Sequence, residues 1–227
     1  MAVRIVYHGH SNVEIHAGLN RIQIDPFYTG NPLADVSADQ VDPTLILLTH
    51  AHGDHVGDTV AIAQRTKAPV AANYEMCLHL HKLGVPNILP MNHGGSLPPP
   101  WGRITMTIAF HTSSFEDGTY GGQPAGFIIE ALGKTIYHAG DTALFGDMKL
   151  LGELFTIDLA CLPMGDCFTM GPAHAVKAAQ FLRAKKVLPL HYNTFPPIQQ
   201  DAGKFAAELK GVGIEGLVMK AGDTVEL

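Results

Sequence analysis

Between His50 and His55 the chain reads His-Ala-His-Gly-Asp-His, so four of these residues can ligate a metal ion. Three imidazoles and a carboxylate crowded in this way are awkward to bury without a cation, because each needs its own hydrogen-bond partner. The cluster directly follows the apolar run Thr44-Leu45-Ile46-Leu47-Leu48-Thr49, which places the ligands where a buried strand ends. Loops at strand ends are where layered α/β proteins build their sites. Zinc-type chemistry takes three or four protein ligands per ion, and a catalytic ion keeps a position for water. More ligands must therefore come from elsewhere in the chain.

Thirteen histidines are present, and their placement sorts them. His111 ends the run Ile104-Thr105-Met106-Thr107-Ile108-Ala109-Phe110 and opens a Gly-rich loop, while His191 ends Val187-Leu188-Pro189-Leu190. Both stand as His50 does. Asp141, in His138-Ala139-Gly140-Asp141-Thr142, again follows a strand, with Gly140 allowing close backbone approach, and is a candidate bridging carboxylate. His138 points to the opposite sheet face and reads as structural. Asp25, at a strand end before Pro26, is placed to accept a hydrogen bond from a ligand imidazole. His8 and His10 flank Gly9 after the first strand, where a place at the site mouth and a backbone hydrogen bond are both open. His16, His79 and His81 read as solvated residues of a hairpin and a helix, and His93 as a turn residue before Gly94-Gly95. His174 lies in the first turn of a helix, an unfavourable place for a charged imidazole.

The elements that position these residues begin with strands over 3–7, 13–16 and 21–25, with Gly18-Leu19-Asn20 as a hairpin turn. Residues 26–43 form a long irregular connection. A strand over 44–49, a helix over 57–67, a strand over 68–72 and a helix over 74–83 closed by Gly84 follow. Strands then return over 104–111, 125–131 and 134–139. Helices over 147–155, 172–184 and 199–210 enclose strands over 157–163 and 186–191. Two halves, each of strands followed by αβ units, predict one domain over residues 1–227, an α/β fold of two sheets with helices on both outer faces.

Composition bounds the function classes. With 46% apolar and 16% charged residues in 227, the chain suits a packed globular enzyme. No run approaches the roughly 18 apolar residues of a membrane span. The N-terminus lacks the regions of a signal peptide, so a cytoplasmic location without a membrane partner is the expectation. Three cysteines are too few for a disulfide framework. Cys161 reads as a core residue and Cys167 as a candidate for the site rim. A net charge of −6 argues against a nucleic-acid partner, leaving a small-molecule substrate.

The pattern His50-x-His52-x-Asp54-His55 with His111, Asp141 and His191 resembles the metallo-β-lactamase superfamily. Tyr7-His8-Gly9-His10-Ser11, Ile24-Asp25-Pro26-Phe27, Ala139-Gly140-Asp141-Thr142, Thr169-Met170-Gly171-Pro172 and Leu190-His191-Tyr192-Asn193-Thr194-Phe195-Pro196 narrow the likeness. They resemble the small bacterial and archaeal metal-dependent hydrolases of that superfamily, related to the ascorbate-6-phosphate lactonases. The resemblance implies a four-layer αββα sandwich of two mixed sheets, with two divalent metal ions between them. His50, His52 and His111 would hold the first ion, Asp54, His55 and His191 the second, and Asp141 would bridge. Zinc is the expected metal, and manganese or iron suits the same ligands. After His111 the chain reads Thr112-Ser113-Ser114, without the Pro-Gly-His of glyoxalase II enzymes, and it shows no appended domain like that of RNA-processing relatives. Thioester hydrolysis and RNA cleavage both lose support.

Two dications about 3.5–4 Å apart can share a hydroxide, which would attack an ester, lactone or phosphoester. Asp54 is the expected catalytic residue, orienting that nucleophile and receiving its proton. Four positive charges less those of Asp54, Asp141 and hydroxide leave a net positive pocket, which predicts an anionic substrate. The runner-up is an iron-dependent oxygenase or redox protein on the same fold, opposed by the full second set of ligands. A nuclease ranks third. No substrate-binding residue is identified beyond the loops 112–124 and 195–200 as candidates for the rim, and nothing in the chain indicates oligomeric state, so that is left open.

Overall fold

The computed structural model describes residues 2–227. Fourteen strands form two seven-stranded sheets. The first sheet contains β1 (Val3–Tyr7), β2 (Val13–Ala17), β3 (Asn20–Ile24), β4 (Leu45–Leu47), β5 (Val70–Asn73), β6 (Ile88–Met91) and β14 (Thr224–Glu226), in the order β14-β1-β2-β3-β4-β5-β6. The second contains β7 (Ser96–Leu97), β8 (Gly102–Ile108), β9 (Ala125–Ala131), β10 (Lys134–His138), β11 (Leu159–Pro163), β12 (Lys186–Leu190) and β13 (Glu215–Gly216), in the order β13-β12-β11-β10-β9-β8-β7. Each sheet is antiparallel in one half and parallel in the other, from β3 to β6 and from β10 to β13.

The period-2 rule of strands assigns the layers. Ile5, Ile15, Ile24 and Leu47 of the first sheet meet Met106, Phe127, Ile129, Cys161 and Leu188 of the second in one buried core. Ile46, Leu48, Val70 and Ala72 point the other way, beneath α2 (Thr59–Thr66) and α3 (Tyr74–Lys82). Ile128, Tyr137, Ala160 and Val187 likewise lie beneath α4 (Met148–Leu154), α5 (Pro172–Leu182) and α6 (Ala202–Gly211). The result is the expected αββα sandwich. Parallel strands with both faces covered are continuous apolar runs for this reason.

Several boundaries differ from expectation, each for a local cause. The predicted strand over 44–49 keeps only Leu45–Leu47, and the predicted helix over 57–67 forms over Thr59–Thr66, preceded by a turn of helix that was not expected. A single-turn helix α1 (Gly53–Val56) forms first, with His52 at its N-cap. It stops at Gly57, where φ is +42° and a Cβ would lie 2.6 Å from Pro26 O. The predicted strand over 104–111 ends at Ile108, freeing His111 from the ladder. The last helix begins at Ala202 because the Asp201 carboxylate accepts a hydrogen bond from Lys204 N–H. Strands β6, β7, β13 and β14 were not expected. The first carries Pro90, as edge strands tolerate, two of the others have two residues each, and β14 is largely exposed.

The directions of the strands converge on one end of the sandwich. Strands β1, β3, β4, β8, β10, β11 and β12 all finish there, releasing the loops that begin at His8, Asp25, Leu48, Ala109, Ala139, Met164 and His191.

Candidate metal centre

All seven residues expected to ligate metal lie at this end. Ligand atoms of His50, His52 and His111 fall within 4.8 Å of one another, as do those of His50, His55 and Asp141. A third group of the same tightness unites Asp54, His55 and His191 with His10. The Asp141 carboxylate stands among them: Oδ2 is 2.9 Å from His191 Nε2, 3.4 Å from His55 Nε2 and 3.7 Å from His111 Nε2. Gly140 makes this possible. Its φ is +62°, and a Cβ there would meet Ala125 O at 2.5 Å and Thr49 Cβ at 2.9 Å.

Asp25 organises the imidazoles beneath. It is fully buried, and its carboxylate can only accept hydrogen bonds. Oδ1 accepts from Thr49 N–H at 2.9 Å; Oδ2 accepts from the Thr49 hydroxyl at 2.7 Å and from His55 Nδ1 at 2.8 Å. Thr49 has given away its one proton, so its oxygen accepts from His50 Nδ1 at 3.0 Å. Both histidines thus carry a proton on Nδ1, and Nε2 of each faces the centre. For His50, Nε2 lies 2.9 Å from His52 Nδ1. One carboxylate and one hydroxyl fix the orientation of two imidazoles.

The same reasoning applies to His10. Its Nε2 lies 3.1 Å from Asp54 Oδ2 and its Nδ1 lies 2.8 Å from Thr194 Oγ1. Burial is the main cause pushing His10 down to about 4, so the ring is neutral at pH 7. The Asp54 carboxylate can only accept, hence Nε2 carries the proton and the Thr194 hydroxyl donates to Nδ1. His10 is completely buried beside His191, with ring centroids 4.2 Å apart. His10 thus lies inside the centre, deeper than the site mouth and bonded to side chains rather than backbone. Three residues here, His10, Asp25 and His191, have left-handed backbones with φ of 57°, 47° and 53°. Strain of roughly 1 kcal/mol or more at each is the kind that collects at functional sites.

Electrostatics divide the histidines. Burial outweighs the nearby carboxylates at His50, His52 and His111, holding all three below the ordinary histidine range. At His55 burial is overcome by the Asp141 and Asp25 carboxylates, and at His191 mainly by Asp141, which lifts it to about 9. Asp54 and Asp141 are held well below the usual carboxylate range despite burial, Asp54 by His10 and His191 and Asp141 by His191 and His55. In the polypeptide alone, protons on imidazoles therefore balance the acidic pair.

The donor set fits divalent cations. Nε2 of His55 and Oδ1 of Asp141 are buried without a hydrogen-bond partner, although polar atoms surround them. Buried groups left unpaired cost about 1–3 kcal/mol each, a cost that ligation removes. Neutral imidazoles and carboxylates are also the usual ligands of zinc, manganese and iron.

The remaining histidines play other parts. His138 is buried, with Nε2 3.0 Å from Ser11 O, which is a structural bond. His93 Nε2 lies 3.0 Å from Pro124 O, and His174 is exposed on α5. His8 pairs with Asp35 and Glu14 away from the cluster. His79 stacks on Phe115, their centroids 3.9 Å apart. Cys161 is fully buried and Cys167 exposed. Sequence reasoning missed Thr49 and Thr194, whose hydroxyls set ring orientation. Thr49 directly precedes His50, and that adjacency was the only signal available for it.

Comparisons with known proteins identify the family. Residues 12–192 match the Beta-lactamase superfamily domain. A UPF0173 metal-dependent hydrolase of Shouchella clausii is 53% identical over 230 residues, covering 99% of this chain and 100% of that protein. One of Thermus thermophilus is 50% identical over 225 residues, 99% of each chain. Among solved structures, Igni18, a metallo hydrolase of the hyperthermophilic archaeon Ignicoccus hospitalis, is 36% identical. It superposes with a TM-score of 0.92 over 100% of this chain and 99% of that one.

Proposed function

The chain belongs to the beta-lactamase superfamily, and from that premise we propose that it is a metal-dependent hydrolase of small molecules. The bond cut is an ester, lactone or phosphoester, and two divalent cations, zinc first among them, serve the reaction. The observation that carries this reading is the position of Asp141 Oδ2, within 3.7 Å of ring nitrogens from both ligand sets. A carboxylate so placed can join two ions. His50, His52 and His111 would hold one, Asp54, His55 and His191 the other.

When bound, such a pair acidifies a water and polarises the carbonyl or phosphoryl oxygen of the substrate. The protein does the rest. Asp25 and Thr49 keep His50 and His55 in one tautomer each, so their Nε2 atoms stay available. His10 donates to Oδ2 of Asp54, which leaves Oδ1 free to orient the nucleophile and to take up its proton. Thr194 in turn holds the proton of His10 on Nε2.

The test is a screen of esters, lactones and phosphodiesters on protein of defined metal content, with Asp54→Asn beside it. We expect turnover of one class, lost in the variant. Thiol-dependent oxygen uptake without hydrolysis would replace this reading with an iron oxygenase.

A further inference from the structure

The loops around the centre carry a charge pattern unlike that of the rest of the chain. They comprise residues 8–12, 26–43, 50–58, 109–124, 139–147, 164–171 and 191–201. Not one of the fifteen lysines and arginines lies in them. Glu116, Asp117, Asp147, Asp166 and Asp201 lie there instead, all exposed. Among the described residues, the only cationic partners within ion-pair distance of Asp54 and Asp141 are imidazoles.

The buried charge count points the same way. Two dications bring four positive charges. Asp54, Asp141 and a hydroxide remove three, and the buried Asp25 carboxylate on His55 removes the fourth. The centre is then neutral, where the ligands counted without Asp25 predict a positive one. Sites that select phosphate or carboxylate groups present Arg or Lys to them; here the loops offer neither to an anionic group beyond the metals, and they carry exposed carboxylates.

What the loops present instead is aromatic. Phe110 precedes His111, is 58% exposed, and rests on Phe145 with centroids 5.2 Å apart. Its N–H donates to the Thr142 hydroxyl at 3.0 Å, and its carbonyl accepts from Ala143 N–H at 3.0 Å. Phe168, 55% exposed, sits in a loop tied to the same residue through Met170 N–H and Thr142 O at 3.1 Å. Both residues therefore belong to loops tied by backbone hydrogen bonds to the segment that follows Asp141. Exposed apolar rings on a rigid scaffold beside a polar centre mark a binding surface.

We infer that the substrate is uncharged away from the bond that is cut, and that its apolar part is received by Phe110 and Phe168. This rests on the two-metal hydrolase reading above.

Two ester substrates test it: p-nitrophenyl hexanoate and the p-nitrophenyl monoester of adipate, which differ only by a carboxylate in place of the terminal methyl. Calorimetric Kd values for hexanoate and adipate on the metal-loaded protein give a readout independent of turnover. We expect kcat/KM for the hexanoate ester to exceed that for the adipate ester by about tenfold or more, and Kd to follow, since an unpaired carboxylate is costly to desolvate. Phe168→Lys should reverse the preference, Phe110→Ala should weaken hexanoate binding several-fold, and Phe110→Leu should restore it. Equal or better use of adipate by the parent overturns the inference, as does a Kd ratio unchanged in Phe168→Lys. If metals bind and hexanoate is selected but neither these esters nor any lactone or phosphodiester of the screen is cut, the hydrolase reading fails and the apolar subsite stands.

Discussion

His8 and His55 each lie between two carboxylates at matching distances. Asp35 is 2.8 Å from His8 Nδ1 and Glu14 is 3.4 Å from its Nε2; Asp25 is 2.8 Å from His55 Nδ1 and Asp141 is 3.4 Å from its Nε2. The difference lies in what else arrives. Around His8 the contacts run outward, Glu14 lying 3.0 Å from His16 and His16 accepting a hydrogen bond from Arg4. Around His55, Asp141 is shared with His191 and His111, Asp54 stands 4.0 Å away, and Nε2 makes no hydrogen bond. A buried imidazole between carboxylates is thus an ordinary ion pair. Convergence of several such groups on one point, with their lone pairs unspent, makes a ligand set.

The largest effect should come from breaking that convergence. Asp141→Asn should abolish stoichiometric metal binding and lower hydrolysis by roughly a thousandfold, several kcal/mol of transition-state stabilisation. Asp35→Asn, which alters the matching partner of His8, should leave metal content untouched. Metal analysis and initial rates on both variants decide this. Full metal and full activity in Asp141→Asn would remove the bridging role.

A smaller effect should follow at Asp25. An Asn there must turn an NH2 group toward either Thr49 N–H or the Thr49 and His55 donors, so the tautomers of His50 and His55 are no longer enforced. Metal affinity should fall about 10–100-fold, measured by chelator competition. An unchanged affinity would mean that the two rings are held by packing alone.

Thr194→Val sharpens the contrast further, since it removes the hydroxyl that holds the His10 proton on the Asp54 side. Metal content should persist while kcat falls about tenfold at unchanged KM, with Thr194→Ser close to the parent. Equal loss in the Val and Ser variants would point to packing instead.

The ligands were legible in the sequence because each stands at the end of an apolar run, and the αββα layers because runs and periodic segments alternate. Asp25 was legible for the same reason. What could not be read was direction at short range. That His10 enters the centre while His8, two residues away, turns to Asp35 depends on left-handed backbone at Gly9 and His10, which no side-chain pattern announces. Thr194 lies 184 residues from His10, and only the packing of β12 against the β1 corner brings them together. Strands such as β7 and β13 are too short to carry a period, and their partners define them.

The smallest expected effect concerns His8 and isolates the ordinary half of the comparison. Burial disfavours the charged ring, but hydrogen bonds to Glu14 and Asp35 outweigh it, and the pKa is raised above 6.5. The folded protein thus holds this proton more tightly than the unfolded chain does. The stabilisation is fully present below the unfolded value and is lost as pH rises through the folded one. Asp35→Asn removes one of the two carboxylates and should cost about 1 kcal/mol near pH 6, with the two proteins converging at alkaline pH. Urea unfolding of both, at saturating metal so that the centre contributes equally, reads the difference directly. Parallel curves at every pH would show that His8 is held by Glu14 and the edge of Tyr28 alone, their centroids being 5.4 Å apart in the latter contact. A converging pair would show that a histidine between two carboxylates, with nothing further arriving, stores its energy in a proton rather than in a metal.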